Sequence, residues 1–136
     1  MDKYMELALK EAKKAFKKDE VPVGAVVVCN NKVVSKAHNI RQKKHSVIGH
    51  AEIMAILKAA HRLKDWRLTN CDLYVTLKPC SMCEEVIRES RIKNVFYILD
   101  KPKIKNGYSK TIATQTNVCH EYEALLSSFF ENKRVK

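Results

Sequence analysis

Two short segments carry the side chains in this sequence that are best suited to chemistry. His50 and Glu52 stand in His50-Ala51-Glu52, and Cys80 and Cys83 stand in a Pro-Cys-Ser-Met-Cys run thirty residues further on. One imidazole and two thiolates can hold Zn²⁺ in a catalytic site, where a fourth position is left open for water. A carboxylate beside that water is suited to carry protons. We therefore predict that Glu52 moves protons and is not a fourth ligand.

Two helices are predicted to position these groups. Pro79 suits the first position of a helix, because its missing N–H would be unsatisfied there anyway, and this helix should run from Cys80 to about Ser90. Both cysteines then share one face of the first turn, where the helix dipole favours their thiolate forms. His50 and Glu52 stand at the start of a second helix, Ala51 to about Lys64, whose apolar residues recur at helical spacing.

A structural zinc site, or two unrelated motifs, is the plainer alternative. A structural site needs a fourth protein ligand, and the residues that could supply it are Cys29, Cys71, Cys119 and His45. Either segment alone is a weak signal. Both in this order match a known signature of zinc nucleobase deaminases, H-x-E followed by P-C-x-x-C, so a catalytic zinc is the prediction.

Length and apolar content predict one domain over residues 1–136. Nothing at the N-terminus resembles a signal peptide. The longest apolar run, Val21 to Cys29, is too short to cross a bilayer and contains Pro22 and Gly24. We expect a cytoplasmic protein with no membrane contact.

Five cysteines are an odd number and suggest no paired framework apart from Cys80 and Cys83. We expect reduced thiols, with Cys29, Cys71 and Cys119 as small core residues. The net charge of +11 fits a polyanionic partner or, equally, a lysine-rich surface that only keeps the protein solvated.

The remaining pattern predicts an α/β layer. Two successive strand–helix–strand units favour parallel strand pairing. The predicted elements besides the two helices above are a helix from Lys3 to Lys18 capped by Asp2, strands Ala25 to Cys29 and Lys32 to His38 joined by an Asn30-Asn31 turn, strands Cys71 to Leu77 and Asn94 to Leu99, a short strand Thr111 to Thr116, and a final helix capped by Asn117.

With both motifs in place, the chain resembles the cytidine deaminase-like superfamily and, more narrowly, the bacterial tRNA-specific adenosine deaminase family. The likeness covers most of the chain, and its end, Leu125-Leu126-Ser127-Ser128-Phe129-Phe130 followed by Lys133 and Arg134, indicates the tRNA branch. The resemblance implies a three-layer helix-sheet-helix fold with a five-stranded mixed sheet, usually as a homodimer with one zinc per subunit. It also implies a reaction, the hydrolytic conversion of the wobble adenosine of a tRNA anticodon loop to inosine.

The same resemblance assigns roles to individual residues. It assigns zinc binding to His50, Cys80 and Cys83, and proton transfer to Glu52. It assigns substrate binding to a further set: Val21 in the pocket wall, Asn39 and the backbone N–H of Ala51 on the base, and Phe129, Phe130 and Arg134 near the RNA. Taken alone, Asn39 is equally typical of a turn.

A basic loop, Arg41 to His45, leads into the metal helix and is either a phosphate-binding segment or a solvated loop.

Four positions depart from the family's pattern. Lys78 stands where the family usually has Glu, Gly49 precedes His50 without the usual Asp-Pro-small approach, and Glu84-Glu85 replace small residues. The last pair lies on a helix face that packs against a partner subunit in the family. These changes bear on substrate and assembly and leave the zinc chemistry in place.

Two other functions use the same motifs. A deaminase of free guanine, cytosine or cytidine needs the same metal and carboxylate, but its closed pocket needs no basic rim. A non-catalytic RNA-binding subunit would keep zinc for structure, and such subunits typically lose the shuttle carboxylate, which this chain retains as Glu52.

Overall fold

The computed structural model describes residues 1–100, 113–116 and 119–134, with side chains up to residue 131. The described part contains four helices and five strands. The helices are α1 (Lys3–Lys17), α2 (Ala51–Leu63), α3 (Ser81–Glu89) and α4 (His120–Arg134), and the strands are β1 (Gly24–Cys29), β2 (Lys32–His38), β3 (Cys71–Leu77), β4 (Asn94–Leu99) and β5 (Ala113–Gln115).

The strands form one mixed sheet in the order β2-β1-β3-β4-β5. β1 pairs antiparallel with both β2 and β3, while β3–β4 and β4–β5 are parallel. The first strand–helix–strand unit therefore departs from the expected parallel pairing, because β1 lies between β2 and β3. The second unit, β3–α3–β4, pairs in parallel as predicted.

Helices cover the sheet and complete the predicted three-layer fold. α1 packs on β1 and touches α4, while α2 packs on β2 and β1 and touches α3. α1 approaches the sheet closely at Gly24, where an added Cβ would lie 1.9 Å from the carbonyl oxygen of Ala8. Only glycine fits at this contact, so the first residue of β1 helps set the distance between α1 and the sheet.

Most predicted element boundaries agree with the structure within one residue, and β2, β3 and β4 have the predicted ends. Asp2 caps α1, since its side chain accepts hydrogen bonds from the N–H groups of Tyr4 and Met5. Asn30 and Asn31 both have positive φ, as expected for the two-residue hairpin turn. The first two residues of the predicted fifth strand, 111 and 112, and the proposed cap Asn117 lie outside the described residues.

Two predictions about local structure were wrong. Pro79 is not the first residue of a helix, because Cys80 occupies the N-cap position of α3 and Pro79 precedes it. The expectation that Cys29 and Cys71 are unpaired thiols also fails. They are buried core residues, but they lie directly opposite each other on β1 and β3 and form a disulfide.

Among the described residues, no helix has both the length and the apolar character that a bilayer span requires.

Candidate active site

The three predicted metal ligands converge at one end of the sheet, as the sequence indicated. His50 is the N-cap residue of α2, and Cys80 is the N-cap residue of α3, which follows the end of β3. Cys83 is the third residue of α3 and is fully buried. The Nδ1 atom of His50 lies 3.9 Å from Cys80 Sγ and 3.5 Å from Cys83 Sγ.

These separations suit a tetrahedral metal ion. All three ligand atoms lie within 4.8 Å of one another. Zinc bonds of about 2.0 Å to nitrogen and 2.3 Å to sulfur place tetrahedral ligand atoms roughly 3.5 Å apart. Among the described residues, this trio is the group of His, Cys, Asp and Glu side chains close enough to share an ion.

The ionisation of the two thiols also favours a cation. A hydrogen bond from Cys83 is the largest effect that lowers the pKa of Cys80, to about 3. The same pairing, together with burial, raises the pKa of Cys83. Two adjacent thiolates repel each other, so both ionise readily only when a positive ion lies between them. The donor set therefore fits Zn²⁺.

Glu52 lies in the first turn of α2 and is only 4% exposed. Burial is the main cause that raises the pKa of its carboxyl group, and the Cys80 thiolate adds to this effect, whereas Cys83 and His50 oppose it. A carboxyl group with a raised pKa holds a proton more readily than an ordinary glutamate, which suits a group that must both accept and return protons.

Asn39 fixes the start of the metal helix. Its Oδ1 atom accepts a hydrogen bond of 2.8 Å from the backbone N–H of Ala51, and its own backbone N–H donates to Val23 O at 3.2 Å. The two groups predicted to contact the base thus contact each other. Because Asn39 also lines the cavity beside the metal ligands, its Nδ2 group is the part suited to donate to a ligand.

Glu20 shapes the basic loop, and sequence reasoning missed it. This carboxylate is 2% exposed and accepts hydrogen bonds from the N–H groups of Gln42 at 3.1 Å and Lys43 at 2.7 Å. The loop is closed at its other end by a 2.8 Å bond from Ile40 N–H to Gly49 O. The position of this acidic residue next to an apolar strand could have marked it as a buried carboxylate. The neighbouring sequence does not show which backbone N–H groups it would bind.

A cavity of about 260 Å³ reaches the metal ligand His50 and the carboxylate of Glu52. Val21 and Asn39, both predicted to bind substrate, line it. Phe130 also lines it and is 44% exposed, so this ring is available to a ligand.

A neighbouring cavity of about 650 Å³ extends along the basic loop and shares Val21 and Asn39 with the first. Its walls include Arg41, Lys43 and Phe129. Phe129 is buried and packs against Phe16 and Phe130. It therefore forms the floor of this cavity and offers little exposed surface to a ligand. Arg134 ends α4, and its side chain lies outside the described residues.

Comparison with known proteins identifies the family. A family model for the cytidine and deoxycytidylate deaminase zinc-binding region matches residues 1–99. The tRNA-specific adenosine deaminase of Bacillus subtilis (strain 168) is 39% identical over 147 aligned residues, covering 98% of this chain and 90% of the relative. The chain belongs to the tRNA-specific adenosine deaminase family.

Solved structures agree with this family assignment. One, from biochemical and structural studies of A-to-I editing by tRNA:A34 deaminases, is 43% identical with a TM-score of 0.71 and covers 73% of this chain and 76% of its own. A guanine deaminase from Bacillus subtilis is 30% identical with a TM-score of 0.69 and covers 74% and 66%. The predicted family, fold and zinc requirement of this family member are confirmed.

Proposed function

We propose that this protein hydrolyses the wobble adenosine of a tRNA anticodon loop to inosine and ammonia. The observation that carries the proposal is the convergence of three ligand atoms within 4.8 Å, beside the buried carboxylate of Glu52. The relatives named tRNA-specific adenosine deaminase support the choice of substrate.

His50, Cys80 and Cys83 would hold one zinc ion per chain, which activates a water molecule as the nucleophile when bound. Glu52 takes a proton from the attacking water and delivers it to N1 of adenine while the water oxygen bonds to C6. Glu52 then transfers the proton of the new hydroxyl to the amino nitrogen. The C6–N6 bond breaks, ammonia leaves, and the C6 carbonyl of inosine remains.

The cavity residues would hold the base in place for this reaction. The Nδ2 group of Asn39 donates to an acceptor on the purine edge, and Val21 packs against the ring. The N–H of Ala51 can reach the base through a bifurcated hydrogen bond, since Asn39 Oδ1 already accepts from it. Phe130 offers a face on which a base can stack.

Basic side chains would hold the anticodon loop around the target nucleotide. Arg41 and Lys43 line the larger cavity next to the reaction site, and Phe129 and Arg134 lie on the helix that borders it. An adenosine in a loop is already partly unstacked, so its extrusion costs less than that of a duplex base. Binding should weaken as salt concentration rises.

Incubating the zinc-loaded protein with total tRNA and sequencing for inosine tests the function. We expect inosine at the first anticodon position of one or more tRNAs. Activity should also be compared between an anticodon stem-loop and free nucleosides. Failure to edit any tRNA, together with turnover of a free base or nucleoside, would replace the proposal.

A deaminase of a free purine is the second candidate, and the structural likeness to a guanine deaminase at 30% identity favours it over a cytidine-specific enzyme. The two basic residues Arg41 and Lys43 at the cavity weigh against it, because a free base carries no phosphate to bind. Guanine supplied alone to the zinc-loaded protein distinguishes the two, since the proposed function predicts no xanthine.

We further propose a single domain over residues 1–136, a homodimer and a cytoplasmic location. Leu57 and Leu63 are large apolar side chains of α2 that are exposed in the isolated chain, which supports an interface with a second subunit. Light scattering after gel filtration should give twice the chain mass. A cytoplasmic location follows from the proposed substrate.

A further inference from the structure

Lys78 connects the sheet to the reaction cavity. It directly follows β3, and its backbone N–H donates a 2.9 Å hydrogen bond to Leu99 O at the end of β4. Its side chain lines the 260 Å³ cavity together with His50 and Glu52. The side chain is 21% exposed, so it stands at the rim of the cavity with part of its surface open to solvent.

Among the described residues, the Lys78 ammonium has one acidic partner, which lies beyond hydrogen-bonding distance. Its Nζ lies 3.6 Å from Asp100 Oδ2 and 5.8 Å from the centre of the Tyr97 ring. The Asp100 side chain is 53% exposed. The two groups lie 3.6 Å apart and the Asp100 carboxylate is largely solvated, so another anion can replace that carboxylate at low cost.

The position of Lys78 matches where phosphates of a bound nucleotide would lie. With the base in the cavity beside Glu52, the ribose and its flanking phosphates remain at the rim. Arg41 lines the same cavity, so two cationic side chains border the opening.

We propose that Lys78 binds a backbone phosphate next to the target adenosine and thereby favours a nucleotide within an RNA strand over a free nucleoside. This inference depends on the proposed function. A lysine contact of this kind adds affinity without reading sequence, since phosphates are the same in every tRNA. Lys78 is thus a substrate-binding residue and has no part in proton transfer.

Steady-state kinetics on an anticodon stem-loop at several salt concentrations test this contact. For Lys78→Ala we expect KM to rise about tenfold with kcat nearly unchanged, because one charge-assisted contact is lost. The slope of log(kcat/KM) against log(salt) should become shallower by about 0.7, the value for one single-strand phosphate. Lys78→Arg should restore most of the affinity, and Lys78→Glu should raise KM further.

Lys93→Ala is the matched control, because Lys93 is exposed and lies just before β4, at the opposite end of that strand. It should leave KM, salt slope and zinc content unchanged. The inference is wrong if KM is unchanged in Lys78→Ala, or if KM rises equally in Lys93→Ala. It is also wrong if Lys78→Ala lowers kcat and leaves KM unchanged. A lower zinc content would do so too, since Lys78 would then act through Cys80.

Two further substrates separate this inference from the proposed function. Adenosine lacks a phosphate and adenosine 5′-monophosphate carries a terminal one. Equal effects of Lys78→Ala on the monophosphate and the stem-loop would assign the site to a terminal phosphate and overturn the RNA contact. If the wild type makes no inosine from the stem-loop, the proposed function fails first and this inference fails with it.

Discussion

Two cysteine pairs at opposite ends of the same sheet have different chemistry. Cys80 and Cys83 lie beyond the end of β3, where α3 begins and His50 of α2 approaches. Cys29 ends β1 and Cys71 begins β3, and their Cα atoms are 4.2 Å apart across the antiparallel ladder. The first pair has an imidazole and two helix N-termini around it, whereas the second pair is buried between two paired strands of the core.

The difference shows that the surroundings, and not the residue type, decide what a pair of thiols does. At the helix end, positive dipole ends and His50 favour thiolates that bind a metal ion. At the other end, direct cross-strand alignment brings two sulfur atoms together without a third ligand, so a disulfide is the available bond. The two ends can therefore be disrupted independently.

Replacing Cys83 with Ala should have the largest effect. With two ligands left, the site cannot hold zinc, so metal content should fall from about one ion per chain to nearly none and deamination should stop. Elemental analysis and inosine formation measure both. Cys71→Ala is the matched control and should keep zinc and activity. Loss of zinc from that control would show that the two ends are coupled.

Replacing Glu52 with Ala should separate metal binding from proton transfer. We expect full zinc content with turnover reduced by about a thousandfold, within the usual contribution of a general acid–base group. Single-turnover assays on an anticodon stem-loop measure this loss. Glu6→Ala, a change at an exposed residue of α1, should leave the rate unchanged. Substantial inosine formation by Glu52→Ala would disprove the assigned role.

Reduction of the Cys29–Cys71 bond should lower the stability of the fold and leave zinc binding and deamination unchanged. The bond spans 42 residues, so its loss should reduce the free energy of unfolding by about 2–4 kcal/mol. Urea titrations with and without reductant measure the change. The doubly substituted Cys29→Ala/Cys71→Ala protein should not respond to reductant. In a reducing cytoplasm the pair should be reduced, so activity must survive its reduction if the proposed location is right.

Replacing Glu20 with Gln should give a smaller effect at the active end. Each oxygen of the buried carboxylate accepts one backbone hydrogen bond, from Gln42 or from Lys43, and glutamine replaces one of these oxygens with an NH2 group that cannot accept. We expect kcat/KM on the stem-loop to fall about tenfold with zinc retained. Glu121→Gln, at an exposed ion pair with Lys13, provides a comparison. A zinc loss in Glu20→Gln would mean that the loop supports His50 directly.

Much of the active end could be predicted because its chemistry lies in contiguous motifs. Cys80 and Cys83 are three residues apart, so one helical turn brings them together, and His50 and Glu52 stand two residues apart at the start of α2. Strand ends at β2, β3 and β4 were also predictable, since apolar alternation and turn residues mark them.

The sequence by itself thus predicted the candidate ligands, the candidate proton carrier and most elements, because each depends on neighbours a few residues away. The tertiary structure decided the rest. The pairing of Cys29 with Cys71 depends on β3 lying antiparallel beside β1, and the partners of Glu20 and Asn39 depend on how the loop before α2 closes. Such contacts join residues distant in the chain, and only the packed sheet sets their register.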